Sequence, residues 1–132
     1  MDGIFLKILP CISPTPQPRI RLQESLGELS ISGWWGYGQD DAVVIETDNP
    51  MEGVALEYDI MEQRTMMEVE ELAGELDYEI VDYHIVCQRL MVVEGVPYDI
   101  LECEITVKWD ENITITYQEE CWFNVARFFG NH

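Results

Sequence analysis

Between Leu101 and Trp109 the chain alternates without a break: Leu101, Cys103, Ile105, Val107 and Trp109 fall on one side, and Glu102, Glu104, Thr106 and Lys108 on the other. Successive side chains of a strand point to opposite faces, so this pattern fits a sheet with one face buried and the other in water. Such a strand needs neighbours to pair with and an apolar layer to cover it, which excludes an all-helical fold. We expect the odd-numbered residues to face the core, and Glu102 and Glu104 to face water.

Candidate neighbours lie on both sides. Val81, Tyr83, Ile85 and Cys87 alternate with Asp82 and His84, and Met91-Val92-Val93 runs into a Glu94-Gly95 turn. Asp110-Glu111-Asn112 makes a turn into Ile113, Ile115 and Tyr117. Further upstream, Ala42-Val43-Val44-Ile45 reads as a strand closed by Asp48-Asn49-Pro50. Val54, Leu56, Tyr58 and Ile60, with Glu57 and Asp59 between them, have the period of a half-solvated strand. Ile20 and Leu22 pair naturally with Leu29 and Ile31 across Ser25-Leu26-Gly27 as a hairpin. The N-terminal stretch, Met1 to Pro10, reads as a first strand. The prolines at 10, 14, 16 and 18 make an extended connector, and their spacing never gives the PxxP of an SH3 ligand.

Two segments read as helices. Thr65 and Glu68 have the form of a capping box, and Val69, Leu72, Ala73 and Leu76 follow at helical spacing, which predicts a helix over 66–76. Trp122, Val125, Ala126 and Phe129 predict a C-terminal helix over 119–129, with Glu119 and Glu120 in its first turn and Arg127 in its last. Runs of strands with two isolated helices indicate an α+β fold: one domain over 1–132, built on a mainly antiparallel meander that curves around its core. A length of 132 residues suits one domain.

Charge limits the partners. The chain holds 26 Asp and Glu against 7 Lys and Arg, a net charge of -19, unevenly spread. Residues 1–23 carry Lys7, Arg19 and Arg21 against Asp2, a balance of +2, and the remainder carries -21. Binding a phosphate backbone needs clustered bases, so direct nucleic-acid contact is not expected. An anionic membrane repels such a chain, and no apolar run reaches the roughly 20 residues of a spanning helix. Cys11, Cys87, Cys103 and Cys121 form no CxxC pair and read as reduced thiols of a cytoplasmic protein.

The sequence offers few groups suited to catalysis. The histidines are His84, within a strand, and His132; His84 and Cys87, three apart, should face opposite sides of an extended chain. There is no P-loop, and Gly33, Gly36 and Gly38 reverse the spacing of a dinucleotide fingerprint. The segment Asp48 to Gly53 lacks the ligand alternation of a calcium loop. No cofactor or metal is therefore expected.

The segment that stands out runs from Gly33 to Asp41: Trp34, Trp35 and Tyr37 among three glycines, closed by Asp40 and Asp41. It reads either as a strand end that inserts its Trp residues into the core or as a contact loop, since Trp and Tyr concentrate binding energy. Three functions follow. The first is an acidic interaction module that neutralises a basic protein, with Trp34, Trp35, Tyr37, Asp40, Asp41, Glu46 and Asp48 as partner-binding residues and the field of the whole chain accelerating encounter. The second is a small-ligand domain with loop 33–41 at the mouth of a pocket. The third is an enzyme using Asp40, Asp41 or His84. A homodimer is compatible with all three. In general character, being small, single-domain, strongly acidic and without a catalytic motif, the chain resembles the immunity proteins that block bacterial nuclease toxins, and also acidic nucleic-acid mimics. The resemblance implies a basic protein partner and carries over no individual residue.

Overall fold

The structure, a computed structural model, describes residues 31–109 and 112–130. In chain order they form strands β1 (Ile31–Gly33) and β2 (Val43–Ile45), helix α1 (Pro50–Ala73), and strands β3 (Tyr78–Val93), β4 (Val96–Trp109) and β5 (Ile113–Asn124), with a single 3-10 turn at Gln39–Asp41. The five strands make one sheet in the order β1-β2-β5-β4-β3, antiparallel except where β2 runs parallel to β5. The α+β expectation holds. The long β3-β4-β5 meander dominates it, and α1 covers one face.

β4 has the predicted register: Leu101, Cys103, Ile105, Val107 and Trp109 are buried, while Glu102 and Glu104 lie half-buried on the face away from the helix. The hairpin before it closes through Glu94 and Gly95, both at positive φ (51° and 83°), as a tight primed turn demands. At the other end Trp109 pairs with Ile113; the turn residues Asp110 and Glu111 lie outside the described residues. So do the expected N-terminal strand at 1–10, the proline connector and the predicted hairpin up to Ser30. Ile31 and Ser32 belong to β1, which pairs with β2 through Ile31 and Ile45.

Both helix predictions need correction. A single helix is seen among the described residues, and it begins at Pro50, not at Met66. Asn49 is its N-cap: the side-chain oxygen accepts from the Glu52 amide at 3.1 Å, and Pro50 occupies the first turn, where a missing N–H costs nothing. The segment Val54 to Ile60, expected as a strand, is the second and third turn of α1, and its buried apolar members Leu56 and Ile60 are four apart. Thr65 is buried in mid-helix, where its hydroxyl donates to the Met61 carbonyl at 2.9 Å, so it caps nothing. The helix ends at Ala73, with Gly74 at positive φ.

The C-terminal helix expected over 119–129 is instead strand. β5 continues to Asn124, with Cys121, Phe123 and Val125 buried at a period of two, and only a short turn follows at 126–130. Twelve consecutive residues pair with β4, from Trp109/Ile113 to Tyr98/Asn124. That ladder outweighs the helical spacing of Trp122, Val125, Ala126 and Phe129.

Two apolar clusters fill the space between α1 and the sheet. Leu56, Ile60 and Met61 meet Val43, Ile45, Leu101, Cys103, Cys121 and Phe123 at one end. Val69 and Ala73 meet Ile105, Val107, Trp109, Ile115 and Tyr117 at the other. Between Met61 and Val69 the buried helix face turns polar, and the candidate site begins there.

Candidate functional site

Arg64 is 2% exposed, a position an arginine occupies only when its charge is paired and most of its donors are engaged. Its Nη1 donates to the Trp35 carbonyl at 3.1 Å and its Nη2 to the Glu120 carbonyl at 2.6 Å. The guanidinium lies 4.2 Å from the centre of the Tyr37 ring. The carboxylates of Glu68, one turn along α1, and of Glu119 on β5 each approach to 4.0 Å. One side chain thus joins the helix, the 33–41 loop and β5.

The surrounding acids respond to burial. Glu68 is held well above the usual carboxylate range, first by desolvation and then by Glu119 facing it, with Arg64 pulling the other way. The Tyr37 hydroxyl donates to Glu68 Oε2, and burial followed by the Glu68 charge raises the phenol further, so it stays a donor. Two turns before Arg64 on the same helix face, Glu57 is fully buried, with no hydrogen-bond partner for either oxygen among the described residues. Its carboxyl is pushed up to about 10 by burial and then by the nearby Asp99. At neutral pH it is uncharged.

The aromatic loop is folded back onto this cluster. Trp35 is 2% exposed and part of the core, Tyr37 and Trp34 are half-buried, and Cys121 Sγ donates to the Trp35 carbonyl at 3.3 Å. Gly36 has φ +82°, and a Cβ there would lie 2.7 Å from both Cys121 Sγ and the Trp122 carbonyl. Only glycine fits so close an approach. Asp41 builds the turn: its carboxylate accepts from the amides of Tyr37 (3.2 Å) and Gly38 (2.6 Å). Asp40 is exposed, Glu46 half-buried, and the exposed Asp48 pairs with Arg127 at 3.0 Å. The loop is therefore a braced structure that presents Asp40 and part of Trp34.

On the sheet face away from α1, His84 lies between two carboxylates, with Nδ1 2.7 Å from Asp82 and Nε2 3.5 Å from Glu104. Cys87 shares that face, contrary to expectation, because the ladder slips between Ile85 and Cys87 and Val86 becomes an extra residue. Three residues of strand still separate His84 and Cys87 by roughly 10 Å. Asp40 and Asp41 belong to the β1–β2 side of the sheet and His84 to its opposite edge, so the three are not brought together. Burial pushes the Cys103 thiol up to about 11 and that of Cys121 to about 12, which makes them poor nucleophiles. Cys87, Cys103 and Cys121 are free thiols. Among the described residues no cluster of three His, Cys, Asp or Glu is arranged to hold a metal ion, and no helix is long and apolar enough to cross a membrane.

Every charged residue on the outward side of α1 is acidic, with Met51, Ala55, Tyr58 and Gln63 exposed among them. Its exposed residues include Glu52, Asp59, Glu62, Glu70 and Glu71 and not one base; the helix's single cation, Arg64, is buried. Over 24 residues the helix extends about 36 Å. Glu70 and Glu71 sit in its last turn, where the helix dipole is negative and carboxylates are disfavoured. Sequence reasoning missed Arg64, Glu68, Glu119 and Glu57. One signal was available: Arg64 is the lone base between Arg21 and Arg89. Compared with known protein families and with curated proteins, the chain matches none.

Proposed function

We propose that the chain is an acidic protein-interaction module that docks and neutralises a basic protein, with the outward side of α1 as its steering surface. One observation carries the reading: five outward carboxylates and no outward base on a single rigid helix, two of the five placed where they cost helix stability. Carboxylates kept against a local stability preference are expected where function uses them. Asp40, Glu46 and Asp48 extend the acidic surface toward the start of α1, and Trp34 supplies apolar contact area beside them. Trp35, Tyr37 and Asp41 contribute by holding the loop in shape. Free thiols at Cys87, Cys103 and Cys121 suit a cytoplasmic setting.

Capture from the native host at low salt tests the reading. Wild type should retain a basic protein that the triple variant Glu62→Gln, Glu70→Gln, Glu71→Gln loses. A variant with the same charge change elsewhere, Glu94→Gln, Glu102→Gln, Glu104→Gln, should retain it. Equal loss in both variants would reduce the acidity to a general property of the surface. A second reading, small-ligand binding behind loop 33–41, has one observation in its favour: Glu68 Oε1, Arg64 Nε and the Tyr83 hydroxyl are buried without a hydrogen-bond partner among the described residues.

A further inference from the structure

We propose that two copies of this chain pair antiparallel along the outer edge of β3, about a two-fold axis that passes between Ile85 and Val86. The proposal stands apart from the reading of α1, because it uses the sheet edge and not the acidic helix. β3 is 16 residues long and lies at the end of the strand order, with β4 on one side and no strand among the described residues on the other. Long edges are usually blunted by lysine, proline or dense charge. β3 contains neither lysine nor proline, and its charged residues are Glu79, Asp82 and Arg89, a balance of -1 in a chain of -19. Val81, Val86 and Leu90 are 55%, 42% and 50% exposed along it.

The two slips in the β3–β4 ladder, at Val81 and Val86, would spoil pairing with an arbitrary flat strand. A second copy carries the same irregularity at the symmetric place. With the axis between Ile85 and Val86, Asp82 stands opposite Arg89 and His84 opposite Cys87, and the β4 partners of these residues, Thr106, Ile100, Glu104 and Glu102, place all four on the side of the sheet away from α1, where Ile100 itself is buried. Tyr83 stands opposite Gln88, both on the helix side, where they pair with Ile105 and Leu101. Ile85 meets Val86, and Val81 meets Leu90. The two-fold axis repeats every pair, giving two Asp82–Arg89 contacts of opposite charge and four apolar pairings, the isologous contact of a symmetric dimer. Asp82 also touches His84 and Arg89 also touches Glu120 within each copy, so the new contacts extend an existing charge network on that face.

Two bodies of -19 repel each other, so salt should promote this dimer, the reverse of its effect on docking to a basic partner. Sedimentation of the full chain at about 50 mM and about 500 mM salt should show dimer dissociation at least about tenfold weaker at the higher salt. Val86→Lys places two like charges beside the axis and should leave a monomer with unchanged circular dichroism and denaturant midpoint. His84→Cys brings a thiol opposite Cys87 of the second copy, and mild oxidation with diamide should link the variant, but not the wild type, into a covalent dimer. A monomer at both salt concentrations overturns the proposal. So does a dimer that survives Val86→Lys, or one in which His84→Cys fails to cross-link.

Discussion

Arg64 is the side chain on which the placement of loop 33–41 depends most directly. Its two carbonyl contacts satisfy the backbone of Glu120 and of Trp35, the latter shared only with the weak Cys121 thiol donor. Arg64→Met should cost roughly 3–5 kcal/mol in urea unfolding, the range for breaking a buried charged contact, and should expose Trp35 to solvent quenching. Glu57 offers a test of opposite sign. Its folded value of about 10 lies above the ordinary 4.5, so folding takes up a proton. The associated stability is complete below about 4.5 and is lost as pH rises toward about 10. Glu57→Gln should remove that part of the slope and stabilise the protein at neutral pH by roughly 1–3 kcal/mol, read from urea midpoints across the pH range. The sequence concealed both residues for one reason. A buried Glu or Arg on a helix face looks like a solvated one until the opposite strand is known, and Glu119 and Asp99 lie some 40 or more residues away.

At the scale of elements, the strands were legible and the helices were not. β4 announces itself from Leu101 to Trp109, where the buried face is wholly apolar and a period of two is the only one present; before Leu101, Pro97, Tyr98 and Ile100 are buried as well. α1 buries Glu57, Arg64, Thr65 and Glu68 along with its apolar residues, which blurs the helical period and leaves the chance alternation of Val54, Leu56, Tyr58 and Ile60 in view. The C-terminal segment misled in the opposite direction, since its helical spacing yields to a twelve-residue ladder with β4 that no local pattern encodes. Asn49→Ala should lower stability by roughly 0.5–2 kcal/mol while Asn49→Asp largely preserves it, as expected for the true N-cap. In the last turn of α1, Glu70→Lys and Glu71→Lys should each raise the thermal midpoint, because they replace a carboxylate at the negative end of the dipole with a cation, worth roughly 0.3–1 kcal/mol. The same two changes should weaken partner docking. A gain in stability coupled to a loss of binding is the signature expected if these glutamates are kept for contact.

For the whole molecule, composition gives the amount of charge and the fold gives its address. Among the described acids, Glu57 and Glu68 are buried, and five lie outward on α1 with no base beside them, whereas the open sheet face mixes Glu102 and Glu104 with His84, Arg89 and Lys108. An outward helix of one sign presents a directional field, which raises encounter rates with an oppositely charged surface by roughly 10–10³ at low salt. In the proposed reading Asp40 and Glu46 add to that field, while Asp48 is paired with Arg127. The most direct measurement is the association rate of the captured partner as a function of ionic strength, for wild type and for the Glu62→Gln, Glu70→Gln, Glu71→Gln variant. Steering by α1 predicts a wild-type rate that falls steeply with salt and a variant rate that is slower and flatter, the two converging at high salt. Equal rates with equal salt slopes would contradict it.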